Sequence, residues 1–256
     1  MSETAYHLMI GKYKCIIFSD GCLIDKRPEG TVTFGLNFIY IEADSRKLLV
    51  DTGCGRLFQA TAGQLIQNMQ KVGIKCEDID TIIFSHGHID HVCGTFDLTG
   101  KPTFPNARYI ISRKEWGYIE APPGNNEIQN TFFEPARKFL IPLKDRFDLV
   151  EDNYEILPGI KMKPAHGHTP GNTMIDISSN GERLLCIGDI IHSPHEFEDP
   201  EYLTAFDVTP EEAVKTRAQV LTKLAKDGTF VFAGHFTFPG LGYIRQKKGV
   251  FSWGPI

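Results

Sequence analysis

Ser85-His86-Gly87-His88-Ile89-Asp90-His91 sets three imidazoles and a carboxylate into the six residues from His86 to His91. The run just before it, Thr81-Ile82-Ile83-Phe84, is apolar and largely β-branched, and it reads as a buried strand. The cluster therefore stands where a strand opens into a loop. Four polar side chains at such a tip add nothing to stability, because burying them unpaired is costly. Neutral imidazole and carboxylate are, however, the ligands that zinc and similar divalent metals take. A solvated histidine-rich turn would account for an isolated His-x-His, but hardly for the full His-x-His-x-Asp-His. The segment reads as a metal site, and the fold must bring further ligands to it.

Three later loops supply candidates. Pro164-Ala165-His166-Gly167-His168-Thr169-Pro170-Gly171-Asn172 follows a strand-like run and holds two histidines in a glycine-proline turn. Cys186-Ile187-Gly188-Asp189 puts a carboxylate at the end of an apolar run, and Ala233-Gly234-His235 does the same with an imidazole. A lone Asp or His at a strand end is usually a loop residue. Four such places in one chain, each directly after a strand, are expected to converge, because α/β folds gather their chemistry at neighbouring strand ends.

The rest of the chain agrees with an α/β plan. Strands are expected near Lys14–Ser19, Leu36–Glu42, Lys47–Val50, Thr81–Phe84 and Ala107–Ser112, and again near Ile160–Pro164, Thr173–Ser178, Arg183–Ile187 and Thr229–Ala233. A helix is expected over Leu57–Val72, on the spacing of Leu57, Leu65, Ile66 and Met69, and a short one over Arg113–Ile119, capped by Ser112. Thr209-Pro210-Glu211-Glu212 reads as a capping box opening a helix that buries Val214, Ala218, Leu221, Leu224 and Ala225 and stops at Gly228. Pro102 to Asp148, with Trp116, Tyr118, Phe132, Phe133 and Phe139, reads as an insertion whose aromatics form local core in preference to a substrate lip.

The 256 residues suit one domain over 1–256, with this insertion at about 102–148. A hydrophobic share of 41% and a net charge of −5 describe a soluble chain with a real core. Basic residues are scattered, densest at Arg245-Gln246-Lys247-Lys248, so no stripe for nucleic acid is present. The start, Met1-Ser2-Glu3-Thr4-Ala5-Tyr6, carries no basic segment followed by an apolar one, so no signal peptide is expected. No run approaches the roughly 18 apolar residues of a membrane span. Cys15, Cys22, Cys54, Cys76, Cys93 and Cys186 show no C-x-x-C spacing and read as free thiols in a reducing cytoplasm, with Cys93 a conceivable outer neighbour of the metal.

Taken together, Asp51-Thr52-Gly53, His86–His91, His168, Asp189 and His235 resemble the five motifs of the metallo-β-lactamase superfamily in order, spacing and strand context. The resemblance implies an α/β fold of four layers, an αβ/βα sandwich with the site along one edge. It implies that His86, His88 and His168 hold one metal, that Asp90, His91 and His235 hold a second, and that Asp189 bridges them. His168 is preferred to His166 because the family's ligand is the first histidine of a His-Thr-Pro-Gly-His turn; Asn172 stands here for the second. Asp51 would orient a ligand imidazole by hydrogen bond. Two divalent ions, zinc first, with manganese, cobalt or iron suited to the same ligands, would share a bridging hydroxide as nucleophile. Asp90 would pass a proton to the leaving group.

Within the superfamily, Asp189 stands where common zinc β-lactamases carry cysteine, and His88 where the flavin-linked oxygen reductases carry glutamate. The stretches Leu185–His192, Ala205-Phe206-Asp207 and Gly234–Gly242 are similar to the methyl parathion hydrolase branch, related to quorum-quenching lactonases. The implied activity is hydrolysis of a lactone, an ester or an organophosphate-type ester. A glyoxalase-II-like thioesterase and a non-catalytic metal-binding protein are the alternatives. His192 falls where lactonases place a substrate-orienting tyrosine, and is expected to donate a hydrogen bond to substrate, with a helix-capping or structural role as the alternative. Phe206, Phe236 and Phe238 are candidates for an apolar pocket, core packing being the plainer role. Membership of this branch would allow a homodimer.

Overall fold

The computed structural model describes residues 4–27, 30–56, 58–197, 199 and 201–256. Among them two seven-stranded mixed sheets lie face to face, and in each the spatial order of the strands follows the chain. The first holds β1 (Ala5–Ile10), β2 (Tyr13–Arg27), β3 (Gly30–Ala43), β4 (Arg46–Val50), β5 (Thr81–Ile83), β6 (Arg108–Ser112) and β7 (Phe147–Val150). The second holds β8 (Glu155–Leu157), β9 (Ile160–Pro164), β10 (Thr173–Ser179), β11 (Glu182–Cys186), β12 (Phe230–Phe232), β13 (Leu241–Lys247) and β14 (Val250–Pro255).

The inner strands are apolar on both faces, which is why they read as continuous hydrophobic runs. Ile17, Ile39, Ile41, Leu48, Val50 and Ile83 point between the sheets and meet Ile160, Ile175, Ile177, Leu184 and Phe232 from the other side. Their neighbours Ile16, Phe18, Phe38, Tyr40, Leu49 and Ile82 face outward against Leu65 and Met69 of α1 (Leu65–Lys71), with Trp116 and Ile119 of α3 (Arg113–Glu120) and Phe133 and Ala136 of α4 (Glu127–Phe139) in the same outer core. On the far side, Leu221 and Leu224 of α5 (Pro210–Asp227) cover Leu185, Ile187 and Val231. Each such aliphatic or aromatic side chain contributes on the order of 2 kcal/mol by leaving water. Burial on both faces therefore fixes the four-layer αβ/βα order. No helix among the described residues is long and apolar enough to cross a membrane.

Several local expectations need correction. The first helix starts at Leu65, not near residue 57; Leu57 itself lies outside the described residues. Its first free amide is satisfied from afar: Leu65 N donates to Asp20 Oδ1 of β2 at 2.6 Å. Gly63, at φ +82°, lies so close to the Gly55 carbonyl that a Cβ there would come within 1.8 Å of its oxygen, so the chain is turning where the longer helix was drawn. Ser112 caps α3 as expected, accepting from Lys114 N. Thr209 precedes α5 but makes no side-chain cap bond, and the buried positions of that helix are Ala213, Arg217, Leu221 and Leu224, with Val214, Ala218 and Ala225 only half-buried. In the 102–148 stretch, Trp116 and Phe133 are core, as expected, whereas Phe132 faces the site.

Candidate metal centre

Register brings the ligand-bearing loops together. β4, β5 and β6 are parallel, with Val50 paired to Ile83 and Ile83 to Ile110. Asp51 and the His86–His91 segment thus leave the same sheet end side by side. In the second sheet the parallel pair β11 and β12 matches Cys186 with Phe232. Asp189 and His235 each follow three residues later and emerge as neighbours. The loop between β9 and β10 carries His168 to the same edge, and it is closed by Ala165 N donating to Asn172 O at 2.9 Å. The two sheets are laced here by Thr173 N to Ser85 O at 3.0 Å and by Gly35 N to His235 O at 2.8 Å.

One carboxylate oxygen is the hub. Asp189 Oδ2 lies 2.9 Å from His235 Nε2, 3.5 Å from the Nε2 atoms of His91 and His168, and 3.7 Å from those of His86 and His192. Asp90 Oδ2 stands 3.7 Å from the Nε2 of both His91 and His235. His88 Nδ1 and His168 Nε2 are 2.9 Å apart. The expected trios His86, His88, His168 and Asp90, His91, His235 each have ligand atoms close enough to share an ion, and Asp189 forms a further such group with His86 and His91. A fourth, His168, Asp189 and His192, was not foreseen.

The outer nitrogens of four of these imidazoles are already engaged. His91 Nδ1–H donates to Asp51 Oδ2 at 2.8 Å, His168 Nδ1–H to Asp207 Oδ1 at 2.9 Å, and His235 Nδ1–H to Gly35 O at 3.1 Å. His86 Nδ1 is 3.0 Å from Ser85 Oγ, which itself donates to Asp51 Oδ2. Those partners fix the tautomer and leave each Nε2 lone pair aimed inward. Asp51 does this from a left-handed backbone, φ +61°, where its other oxygen accepts from Ser85 N at 2.8 Å.

The electrostatics are those of a ligand set. Burial holds the His86, His88 and His168 imidazoles well below the usual histidine range, hence neutral and able to coordinate. Burial opposes the charged forms of Asp189 and His91 too. Counting only the protein's own charges, it is outweighed at Asp189 by His235, His91 and His86, and at His91 by Asp189, Asp90 and Asp51, so the carboxylate stays ionised and the His91 imidazole is pushed well above its usual range, holding at Nε2 a proton that a bound cation would displace. The Nε2 atoms of His86 and His91, both beside Asp189 Oδ2, are buried with no hydrogen-bond partner. Orphaned nitrogens around a shared carboxylate are costly unless something cationic sits among them, and His with Asp is a donor set that fits zinc-like ions.

His166 is turned away from this cluster, its Nε2 3.2 Å from Asp152 Oδ1. Cys93 is buried near Asp90 with its thiol pushed up to about 12 by burial, and it belongs to none of the metal-capable groups among the described residues. The described cysteines are all free thiols.

A cleft of about 190 Å³ leads to the hub, walled by Leu23, Ile24, Phe34, Phe58, Phe132 and Phe206, with Asp90, Asp189, His192 and His235 among its polar lining. Phe206 thus takes the pocket role considered for it. Phe236 does not: it is buried edge-on against Phe197 and Trp253. Phe238 packs against the core between the sheets.

Four important residues escaped the reading of the sequence. Asp207 holds His168, and Glu196 Oε1 accepts from His192 N at 2.9 Å. Arg217 lies behind both carboxylates. Glu115, fully buried on α3, pins the two ligand loops to each other by accepting from Gly87 N at 2.7 Å, Thr169 Oγ1 at 2.7 Å and Gly171 N at 2.8 Å. None of the four stands in a ligand-like motif: Glu115 and Arg217 fall within expected helices, and only Asp207, beside Phe206, falls in a stretch marked by family resemblance.

Imidazoles and carboxylates delivered from both sheets of an αβ/βα sandwich to one edge define a two-metal protein of hydrolase type. The chain belongs to the metallo-beta-lactamase superfamily, whose family model matches residues 33–235. It is 29% identical to an N-acyl homoserine lactonase of Bacillus cereus over 89% of this chain and 92% of that one. It is 28% identical to the N-acyl homoserine lactonase AiiA of Bacillus thuringiensis subsp. kurstaki over 76% and 78%. Among solved structures it superimposes on AidC, a dizinc quorum-quenching lactonase in complex with a product, N-hexanoyl-L-homoserine, with TM-score 0.92, 27% identity and coverage of 98% and 97%. It also superimposes on AbOPH, a hydrolase in the beta lactamase superfamily, with TM-score 0.91, 26% identity and coverage of 100% and 98%.

Proposed function

We propose that this chain is a dinuclear zinc hydrolase, one domain over residues 1–256, that opens the ring of an N-acyl homoserine lactone or a closely similar lactone. The observation that carries the reading is the hub, five imidazole Nε2 atoms within 3.7 Å of Asp189 Oδ2 at the end of an apolar cleft. Similarity to lactonases over most of the chain supports it and favours it over the thioesterase alternative. His86, His88 and His168 would hold one ion, Asp90, His91 and His235 the other, with Asp189 between them. When bound, the two cations supply Lewis acidity and bring the pKa of a shared water down toward neutrality.

The remaining work falls to the chain itself. His192 lines the cleft; its Nδ1 faces Glu196 Oε1 at 3.4 Å, and its Nε2, without a hydrogen-bond partner, is left to donate to a substrate oxygen. Counting only the protein's own charges, burial would strip its proton, but Glu196, then Asp189 and Asp207, lift its pKa to about 9. Asp90 Oδ2 borders the cleft and can carry a proton to the leaving alkoxide as the ring opens. Phe34, Phe132 and Phe206 keep water from the acyl portion, and the same apolar wall suits aryl esters and phosphotriesters as incidental substrates.

The grouping of His192 with His168 and Asp189 favours one second reading, in which His192 is itself a ligand. The reading as a whole is tested with purified protein carrying defined zinc, assayed over N-acyl homoserine lactones, aryl esters, phosphotriesters and glutathione thioesters. Lactone turnover should exceed the other classes. Preference for the thioester, or turnover that survives complete zinc removal, would sink it.

A further inference from the structure

Arg217 is wholly buried, in the middle of the inward face of α5. A buried guanidinium is costly unless it is partnered, and here the back of the site supplies two hydrogen bonds and two facing carboxylates. Nε donates to Ile190 O at 2.9 Å, one residue past Asp189, and Nη1 donates to Tyr202 O at 2.8 Å. Nη2 stands between two carboxylates, 3.6 Å from Asp207 Oδ2 and 3.7 Å from Glu196 Oε2, neither of which has a hydrogen-bond partner of its own. The opposite oxygen of each carboxylate faces the centre. Asp207 Oδ1 holds His168 Nδ1 at 2.9 Å. Glu196 Oε1 accepts from His192 N at 2.9 Å and from Ser193 N at 3.1 Å, and lies 3.4 Å from His192 Nδ1.

One rigid cation thus sits behind three groups of the centre: His168 through Asp207, His192 through Glu196, and Asp189 through the Ile190 carbonyl. A planar fork can serve all of them in one geometry, which the point charge of a lysine cannot. A helix that needed only an apolar contact at this position would carry a leucine, as it does at 221 and 224.

We propose that Arg217 is a positioning residue for the two-metal centre, fixing Asp207 and Glu196 so that a metal-binding ring, His168, and a substrate-facing ring, His192, are held by a single anchor. The inference rests on the metal-dependent reading above, and one arm of its test does not. In metal-free protein labelled at histidine, Arg217→Lys should shift the imidazole ¹⁵N resonances of both His168 and His192; unmoved resonances would overturn the proposal whatever the enzyme hydrolyses.

In zinc-loaded protein, Arg217→Lys and Arg217→Met should weaken retention of one of the two zinc ions by roughly 10- to 100-fold in a chelator competition. They should also lower kcat more than they raise KM for an acyl homoserine lactone. Glu196→Gln should lower kcat with both zincs retained, and Asp207→Asn should lose zinc first. Combined with Arg217→Lys, each should be clearly less than additive, because they act through the same anchor. Normal zinc retention and turnover in the Arg217 variants, with only a lower melting temperature, would reduce the residue to a structural ion pair. If Arg217→Met does not fold, the lysine variant and the two double variants decide the matter, and full additivity in both would overturn it.

Discussion

Asp189 Oδ2 and His235 Nε2 meet at 2.9 Å although 46 residues separate them, because β11 and β12 run parallel and each releases its ligand three residues beyond a matched pair. The same oxygen faces His86, His91 and His168. Asp189→Asn removes the one charge common to all of them. The amide should lower zinc occupancy and kcat/KM by roughly 10³-fold or more, the scale on which loss of a central electrostatic group is felt. Two zincs retained with near-normal turnover would refute the bridging role.

His166 and His168 sit two residues apart and face different ways. His168→Ala should release one zinc and cost several orders of magnitude in kcat/KM, whereas His166→Ala, which breaks only a partly exposed contact with Asp152, should stay within a few-fold of the native enzyme. The reverse order would show that the wrong histidine has been placed at the metal.

His192→Phe separates substrate orientation from metal binding. With both zincs bound, kcat/KM should fall by roughly 10- to 100-fold, the equivalent of one hydrogen bond to a charged transition state. His192→Tyr should restore much of the rate. A titrating imidazole should also give the native pH profile an inflection at or below about 9 that the tyrosine variant lacks. Zinc loss in the phenylalanine variant would make His192 a ligand instead.

Glu115 offers a test of pH-dependent stability. Burial raises its pKa to about 7, against the pull of the Thr169, Gly87 and Gly171 donors. The folded chain therefore holds this proton more tightly than the unfolded one, whose reference value is 4.5. The associated stability is present below pH 4.5 and is lost as pH rises through about 7, a difference on the order of 3 kcal/mol. Metal-free Glu115→Gln, with nothing to ionise there, should show a shallower fall in melting temperature across that window. Parallel curves for the two proteins would place the folded pKa at its ordinary value.

Gly171 approaches Glu115 so closely that a Cβ would fall 2.2 Å from the Glu115 amide nitrogen, against backbone that cannot swing aside. Gly171→Ala should cost about 1–3 kcal/mol through overpacking and displace the loop that bears His168. A stability change under 0.5 kcal/mol with unaltered zinc binding would show that this approach is not restrictive.

The residues proposed as ligands could be read from the sequence because most of them sit just after a β-branched or aliphatic run, where a polar side chain has no other explanation. The groups behind them could not. Arg217 looks like a solvent-facing charge on a helix, since arginine is rarely buried without partners, and its partners Asp207 and Glu196 come from another stretch of chain. Glu115 likewise passes for a first-turn acid on a short helix. The start of α1 is hidden for the same reason: the group that meets its first amide is Asp20, distant in sequence, and no local pattern announces it.

Each ion in the proposed pair would draw ligands from both sheets, His86 and His88 against His168, Asp90 and His91 against His235. His88 and His168 alone are 80 residues apart. Zinc in this protein would then act as a removable crosslink that closes long loops of chain, much as a disulfide does, in a protein whose six cysteines form none. A chelator would play the part of a reductant, loosening one edge of the sandwich while the apolar layers hold the remainder together.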